Sequence, residues 1–293
     1  MAGRLDVREG TAVTDTLRGA ALATPPTGRL AAAGRLLAAA LVCGSAVLLF
    51  AVHLRPAAYV PLVAGVLLAW AVDRALGADL TLIAVGMGII SAISLKADLS
   101  DAGIARFAVV LALAVAVPLA LSRWWLRHDA ITFPWRVGRP WTRVHWTYLI
   151  VVVVAGYLVL PWYFLTSGAW QNWPALDGSG EVARLFVGVA AVGTWDELFF
   201  ICTVFALLRR HFSMWTANVL QTAVFVSFLW ELGYQSWGPL LTVPFALVQG
   251  LTYAKTASLA YVLTVHLLFD AVVFAVLVHA HHPHLFDVFV TSV

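Results

Sequence analysis

Asp196, Glu197, Glu231, His266 and Asp270 are ionisable residues set inside otherwise apolar stretches of a 293-residue chain. A charged group at mid-bilayer costs at least about 2.5–3.5 kcal/mol on insertion scales, so such groups are kept where they have a use. Three patterns carry them: Trp195-Asp196-Glu197, then Glu231, then His266-x-x-x-Asp270. Residues four apart on a helix are only about 40° apart around its axis, so His266 and Asp270 face one neighbour. Asp196 and Glu197 are about 100° apart, so on a regular helix only one points straight at a shared site. A carboxylate beside an imidazole can take a proton from water and pass it to a leaving group, which is general acid–base catalysis. The same residue types suit a divalent, zinc-like ion with an open position for water, with His266, Glu231 and Glu197 as the candidate ligands. Residue types alone leave both chemistries open. The competing reading is structural: buried acids can pair with one another, with Arg184, or with hydroxyls and backbone carbonyls to lock helices together. Five such groups on three segments, with no obvious basic partner, favour chemistry.

The elements that must position these residues are membrane helices. The chain is 62% hydrophobic and 11% charged, against about 25% charged in ordinary soluble domains. Apolar runs of about 17–25 residues, long enough to cross a ~30 Å hydrocarbon core, fall at 37–54, 57–75, 78–95, 104–122, 146–166, 183–208, 214–233, 238–254 and 257–280. Gly86 and Gly88 make the third the weakest. Backbone amides in lipid must be satisfied within the segment, and no run alternates like a barrel strand, so the expectation is an all-α polytopic bundle of about nine transmembrane helices. Of the 18 Lys and Arg, 14 fall on one side if the N-terminus is inside, leaving Arg55, Lys96, Arg106 and Arg184 outside. That asymmetry predicts an N-in, C-out orientation. Trp124, Trp125, Trp135, Trp141 and Trp146 mark one interface, and Trp162, Trp170, Trp173 and Trp237 the other.

The chain divides into a flexible cytosolic tail (1–35), a four-helix membrane part (36–122), a basic cytosolic loop (123–145), a membrane core (146–281) and an outer tail (282–293). The tail has no secretory-signal pattern. Cys43 and Cys202 are too few and too isolated for a disulfide framework. The expected setting is the plasma membrane as a multi-pass protein, with the lipid bilayer and a membrane-embedded peptide or protein substrate as partners and no nucleic acid.

These residues resemble the CPBP family: type II CAAX prenyl endopeptidases with bacteriocin-processing and abortive-infection proteins. The family pattern runs Glu-Glu-x-x-x-Arg, Phe-x-x-x-His, then His-x-x-x-Asn or Asp on successive membrane helices. Asp196-Glu197-Leu198-Phe199-Phe200-Ile201 resembles the first motif and is followed by the family-like run ALLRRHF at 206–212. GLTYAKTASLAYVLTVHLLFD at 250–270 resembles the last. Ile201 stands where the family has Arg, Asp196 where it has the first Glu, and Ser227 and Glu231 where it has Phe and His. The resemblance spans about 181–275 and implies an intramembrane endopeptidase. Its cavity would lie between the sixth, seventh and ninth runs, with Glu197 as general base and Asp196 as its support. His266 with Asp270 would bind metal or stabilise the oxyanion, and Glu231 would join them by position. The alternatives are a catalytically silent relative acting as a membrane partner or scaffold, favoured by Ile201 and Glu231, and an ion- or proton-coupled transporter. Against transport, Pro161, Pro239 and Pro244 show none of the paired helix breaks usual there.

Overall fold

The computed structural model describes residues 28–135 and 140–291. Most of the expected 1–35 tail, with Arg136 and Arg139, lies outside the described residues. Those described form nine long helices: α1 (Arg29–Ala51), α2 (Arg55–Val72), α3 (Arg74–Ile90), α4 (Asp101–Trp125), α5 (Arg143–Ser167), α6 (Ser179–Arg209), α7 (Met214–Leu232), α8 (Pro239–Thr256) and α9 (Leu259–His281). Each stands on one of the nine apolar runs. The first begins at Arg29, inside the stretch expected to be tail, because its Ala- and Leu-rich sequence is helix-forming throughout.

Local signals set the boundaries. Asp73 accepts from the Ala75 and Leu76 amides to start α3, Ser100 accepts from Gly103 to start α4, and Ser213 and Ser258 do the same for α7 and α9. Pro239 opens α8, where a missing N–H costs nothing. Left-handed Gly168 ends α5 at φ 70°, a backbone region that glycine enters without strain.

Six helices are long and apolar enough to cross a membrane: α1, α2, α4, α5, α6 and α9. The expected count of about nine is thus met in helices but not by this stricter measure. The other three are shorter or more polar for a visible reason. α3 has 17 residues and carries Asp79, 1% exposed. α7 buries Asn218, Gln221, Thr222, Ser227 and Glu231, and α8 buries Thr242 and Gln249. Their polar groups face other helices.

α1 lies against both α2 and α7, so the N-terminal helices are packed onto the C-terminal ones. Gly86 has a packing reason: a Cβ there would stand 2.4 Å from the Phe199 ring and 3.2 Å from the Ala114 carbonyl, so glycine lets α3 sit directly on α4 and α6. A second tie lies beyond the end of α6. Asp79 forms an ion pair with Arg210, Nε 3.1 Å from Oδ2, and pairs with His211 Nε2 at 2.6 Å, with His128 Nε2 3.6 Å away. The ALLRRHF run therefore clamps α3, and Asp79 is an intramembrane acid that hydropathy reading passed over.

The N-in, C-out orientation is a proposal resting on the basic asymmetry. With Cys43 and Cys202 replaced, cysteines at exposed Asp129 and Asp177 should be labelled from opposite sides of intact vesicles. Labelling of both from the same side would overturn the orientation and the odd number of crossings between them.

Candidate active site

His266, on the α9 face turned inward, is the hub of the site. Its Nδ1 lies 2.7 Å from Glu197 Oε1, while its Nε2 lies 3.7 Å from Asp196 Oδ2 and 3.8 Å from Asp270 Oδ1. Four of the five residues singled out from sequence are therefore brought together. All four are buried, from 0% exposure at Glu197 to 7% at Asp270. With Glu197 ionised, Oε1 can only accept, so Nδ1 is the donor of that bond. The Nε2 distances are too long for direct hydrogen bonds and are the kind of separation a single bridging water or substrate oxygen fills.

A regular helix would turn Asp196 and Glu197 about 100° apart. Here α6 loosens from Glu197 to Phe205 into wide turns with bonds spanning five residues, a local form that often marks functional sites. The two carboxylates lie on opposite sides of one ring, Glu197 bonded to Nδ1 and Asp196 3.7 Å from Nε2, and of the two only Asp196 faces the cavity. His266 is held from the side by Phe245, whose ring is 5.0 Å away and nearly perpendicular, and by Phe225 at 6.2 Å. Trp195, next to Asp196 in the chain, stacks on Phe199 at 5.1 Å, and its Nε1 donates to the Leu111 carbonyl of α4 at 2.7 Å.

A cavity of about 590 Å³ reaches the cluster, walled mainly by apolar side chains of α4, α6, α8 and α9. Asp196, His266 and Asp270 face it at one end; Asp98, Leu99 and Arg184 lie at the other, where α4 and α6 begin. Arg184 bonds the Leu99 carbonyl at 2.9 Å and Asp101 at 2.8 Å, tying the two helix starts together. α7 adds Leu229 and Leu232 to the wall. The expected cavity between the sixth, seventh and ninth runs thus also has the fourth and eighth as walls. Glu197 is not among the residues facing it and sits behind the His266 ring.

Glu231 is placed elsewhere. As the penultimate residue of α7 it accepts from the Leu95 amide at 3.0 Å, with Arg55 Nη2 at 3.5 Å and His53 Nδ1 at 3.8 Å. No shift in register brings it deeper, and these contacts are with other residues than His266. The donor set His266, Glu231 and Glu197 is accordingly not assembled. Among the described residues no group of three or more His, Cys, Asp and Glu is arranged to hold a metal ion.

Two residues of the site were missed. Gly193 is one turn before Glu197, and a Cβ on it would stand 1.9 Å from Asp270 Oδ2 and 3.4 Å from the His266 ring. Only glycine lets α6 pass this close to the carboxylate. Gly193→Ala should lower the thermal midpoint of the purified protein, since forcing atoms into a packed interior costs about 1–3 kcal/mol. Adding Asp270→Ala should return much of the loss, and a Gly193→Ala variant as stable as wild type would refute the close approach. Gln249, 1% exposed on α8, donates to Glu197 Oε1 at 2.7 Å. The available signal was a lone amide in the apolar run 238–254.

Ile201, where the family pattern has Arg, is fully buried in the core. Ser227 turns its hydroxyl to the Ala223 carbonyl of its own helix. No curated protein and no solved structure matches the chain. A family model does: type II CAAX prenyl endopeptidase Rce1-like, over residues 178–272. That segment contains the Gly193 passage, both carboxylates of α6, Gln249 and the His266–Asp270 pair. The segment 178–272 of this membrane protein is therefore similar to the Rce1-like type II CAAX prenyl endopeptidases.

Proposed function

We propose that the chain is an intramembrane endopeptidase of the plasma membrane, hydrolysing a peptide bond of a membrane-embedded substrate in the cavity between α4, α6, α8 and α9. The observation that carries this is the Asp196–His266–Asp270 cluster facing an apolar cavity, with Glu197 bonded to the far side of the imidazole.

The roles follow from which atoms face the cavity. Asp196, rather than Glu197, is placed to act on a water there. Asp196 lines the cavity and Glu197 does not. As the water oxygen attacks the scissile carbonyl carbon, Asp196 takes its proton. The carbonyl oxygen becomes an oxyanion within reach of a proton on His266 Nε2, and Asp270 orients that end of the ring. The intermediate then collapses, the C–N bond breaks, and Asp196 returns the proton to the leaving amine. Glu197 holds Nδ1 and so fixes the ring's orientation, as a buried acid does in a catalytic triad. The apolar walls exclude bulk water and strengthen these electrostatic interactions.

The family description directs the choice of probe: an internally quenched peptide ending in a prenylated CAAX box, presented in proteoliposomes beside a quenched single-span peptide. Wild type should cleave at least one of them and Asp196→Asn neither. Failure of wild type on both, with folded protein, would favour the second reading, a silent relative that binds a membrane partner. Ser227 and Glu231 support that reading, because among the described residues no second histidine stands beside His266.

A further inference from the structure

We propose that Gln249 is a positioning residue of this site, acting through Glu197 to hold the His266 ring at the angle that presents Nε2 to the cavity. The inference rests on the protease reading of the site and extends it to a residue with no assigned role.

Gln249 Nε2 donates twice, to Glu197 Oε1 at 2.7 Å and to the Val262 carbonyl at 3.2 Å. Val262 is one helical turn before His266, so a single amide joins the carboxylate on α6 to the turn of α9 that carries the histidine. Both partners are acceptors, which fixes the orientation of the amide: flipping it would set oxygen against oxygen twice. Gln249 Oε1 is left buried and unpartnered. Tolerating that loss is reasonable only if the two donated bonds matter. Glu197 Oε1 thereby accepts from both Gln249 and His266 and cannot rotate without breaking both bonds.

The amide is itself aimed from the opposite side. Asn218 Nδ2 on α7 donates to the Leu247 carbonyl at 2.7 Å, and Gln221 Nε2 donates to the Ala246 carbonyl at 3.1 Å. Gly250 is the gap through which this happens, since a Cβ there would stand 2.0 Å from Asn218 Oδ1. These contacts set the rotation of α8 about its axis, and with it the direction of Gln249. A neutral donor suits the place. It satisfies a carboxylate without bringing a second charge next to the imidazole, and a charged pair in that position would compete with His266 for Glu197.

The test uses the full chain in detergent micelles with ¹⁵N-labelled histidine. The ring N–H signal of His266 is assigned by its absence in His266→Gln. Gln249→Met keeps length and volume and removes the donors; it should shift or broaden that signal. It should also lower turnover of the quenched probe by about tenfold or more, with KM unchanged. Gln249→Glu, equal in shape, should do worse. Gln249→Asn, too short to reach Glu197 while remaining polar, covers the case in which the methionine variant does not fold. A folded Gln249→Met or Gln249→Asn protein with the wild-type His266 signal would overturn the proposal. If wild type cleaves no probe, the protease reading fails while the spectra still decide the role of Gln249.

Discussion

Asp196→Asn should lower turnover of the cleaved probe by about 10²–10⁴-fold, the range that general acid–base groups contribute, with the protein still folded and inserted. The asparagine keeps size and shape, so the stacking of the adjoining Trp195 on Phe199 survives. What disappears is the acceptor for the water proton and the donor for the leaving amine. His266→Ala should cost about 10²–10³-fold through loss of the oxyanion donor, and more if Asp196 and Asp270 repel once the ring between them is gone. Asp270→Asn should be the mildest of the three, because the family pattern itself carries Asn there. Circular dichroism and elution volume in detergent separate these losses from misfolding. Wild-type turnover in Asp196→Asn would end the assignment of Asp196 as base.

Sequence alone came close to this site because of an energetic contrast. Ionisable groups in apolar runs stand out, and the four-residue spacing of His266 and Asp270 is enough to put them on one helix face. The nine helices were equally visible, since lipid demands long apolar segments whose backbone bonds are internal. What sequence could not show were departures from regular geometry. The wide turns of Glu197–Phe205 have no signature in residue type, yet they begin at one of the two consecutive acids beside the imidazole. Depth within a helix also misled: Glu231 was counted with the site because it shares its polarity, while its place at the end of α7 gives it to Leu95 and Arg55. Gly193 and Gln249 were hidden because neither is ionisable. A glycine matters through what its missing Cβ admits, and an amide through the partners it finds, and both depend on the neighbouring helix.

Those hidden residues give the sharpest remaining expectation, an ordering of two conservative variants. If Glu197 were the base, Glu197→Gln would match the full loss of a general base and Asp196→Asn would be milder. The geometry reverses this. Glu197 stands behind the ring, its Oε1 taken by His266 and Gln249, its Oε2 buried without a partner. In Glu197→Gln the two donors select the amide oxygen for the Oε1 position, because the –NH₂ would meet Gln249 donor to donor. The ring therefore keeps its orientation, and the loss is the difference between donating to a charged and a neutral acceptor. That difference is on the order of 1 kcal/mol, or roughly tenfold in turnover. Glu197→Gln should thus retain about ten to a thousand times more activity than Asp196→Asn. Adding Gln249→Met to Glu197→Gln removes the group that selects the oxygen. Both amide orientations then become open, one of them presenting –NH₂ to Nδ1, which cannot then donate, so the ring loses its anchored orientation. The double variant should fall well below the product of the single effects, the non-additivity expected of groups acting on one ring. Equal or inverted activities of the two single variants would return the base to Glu197, and strict additivity in the double would separate Gln249 from it.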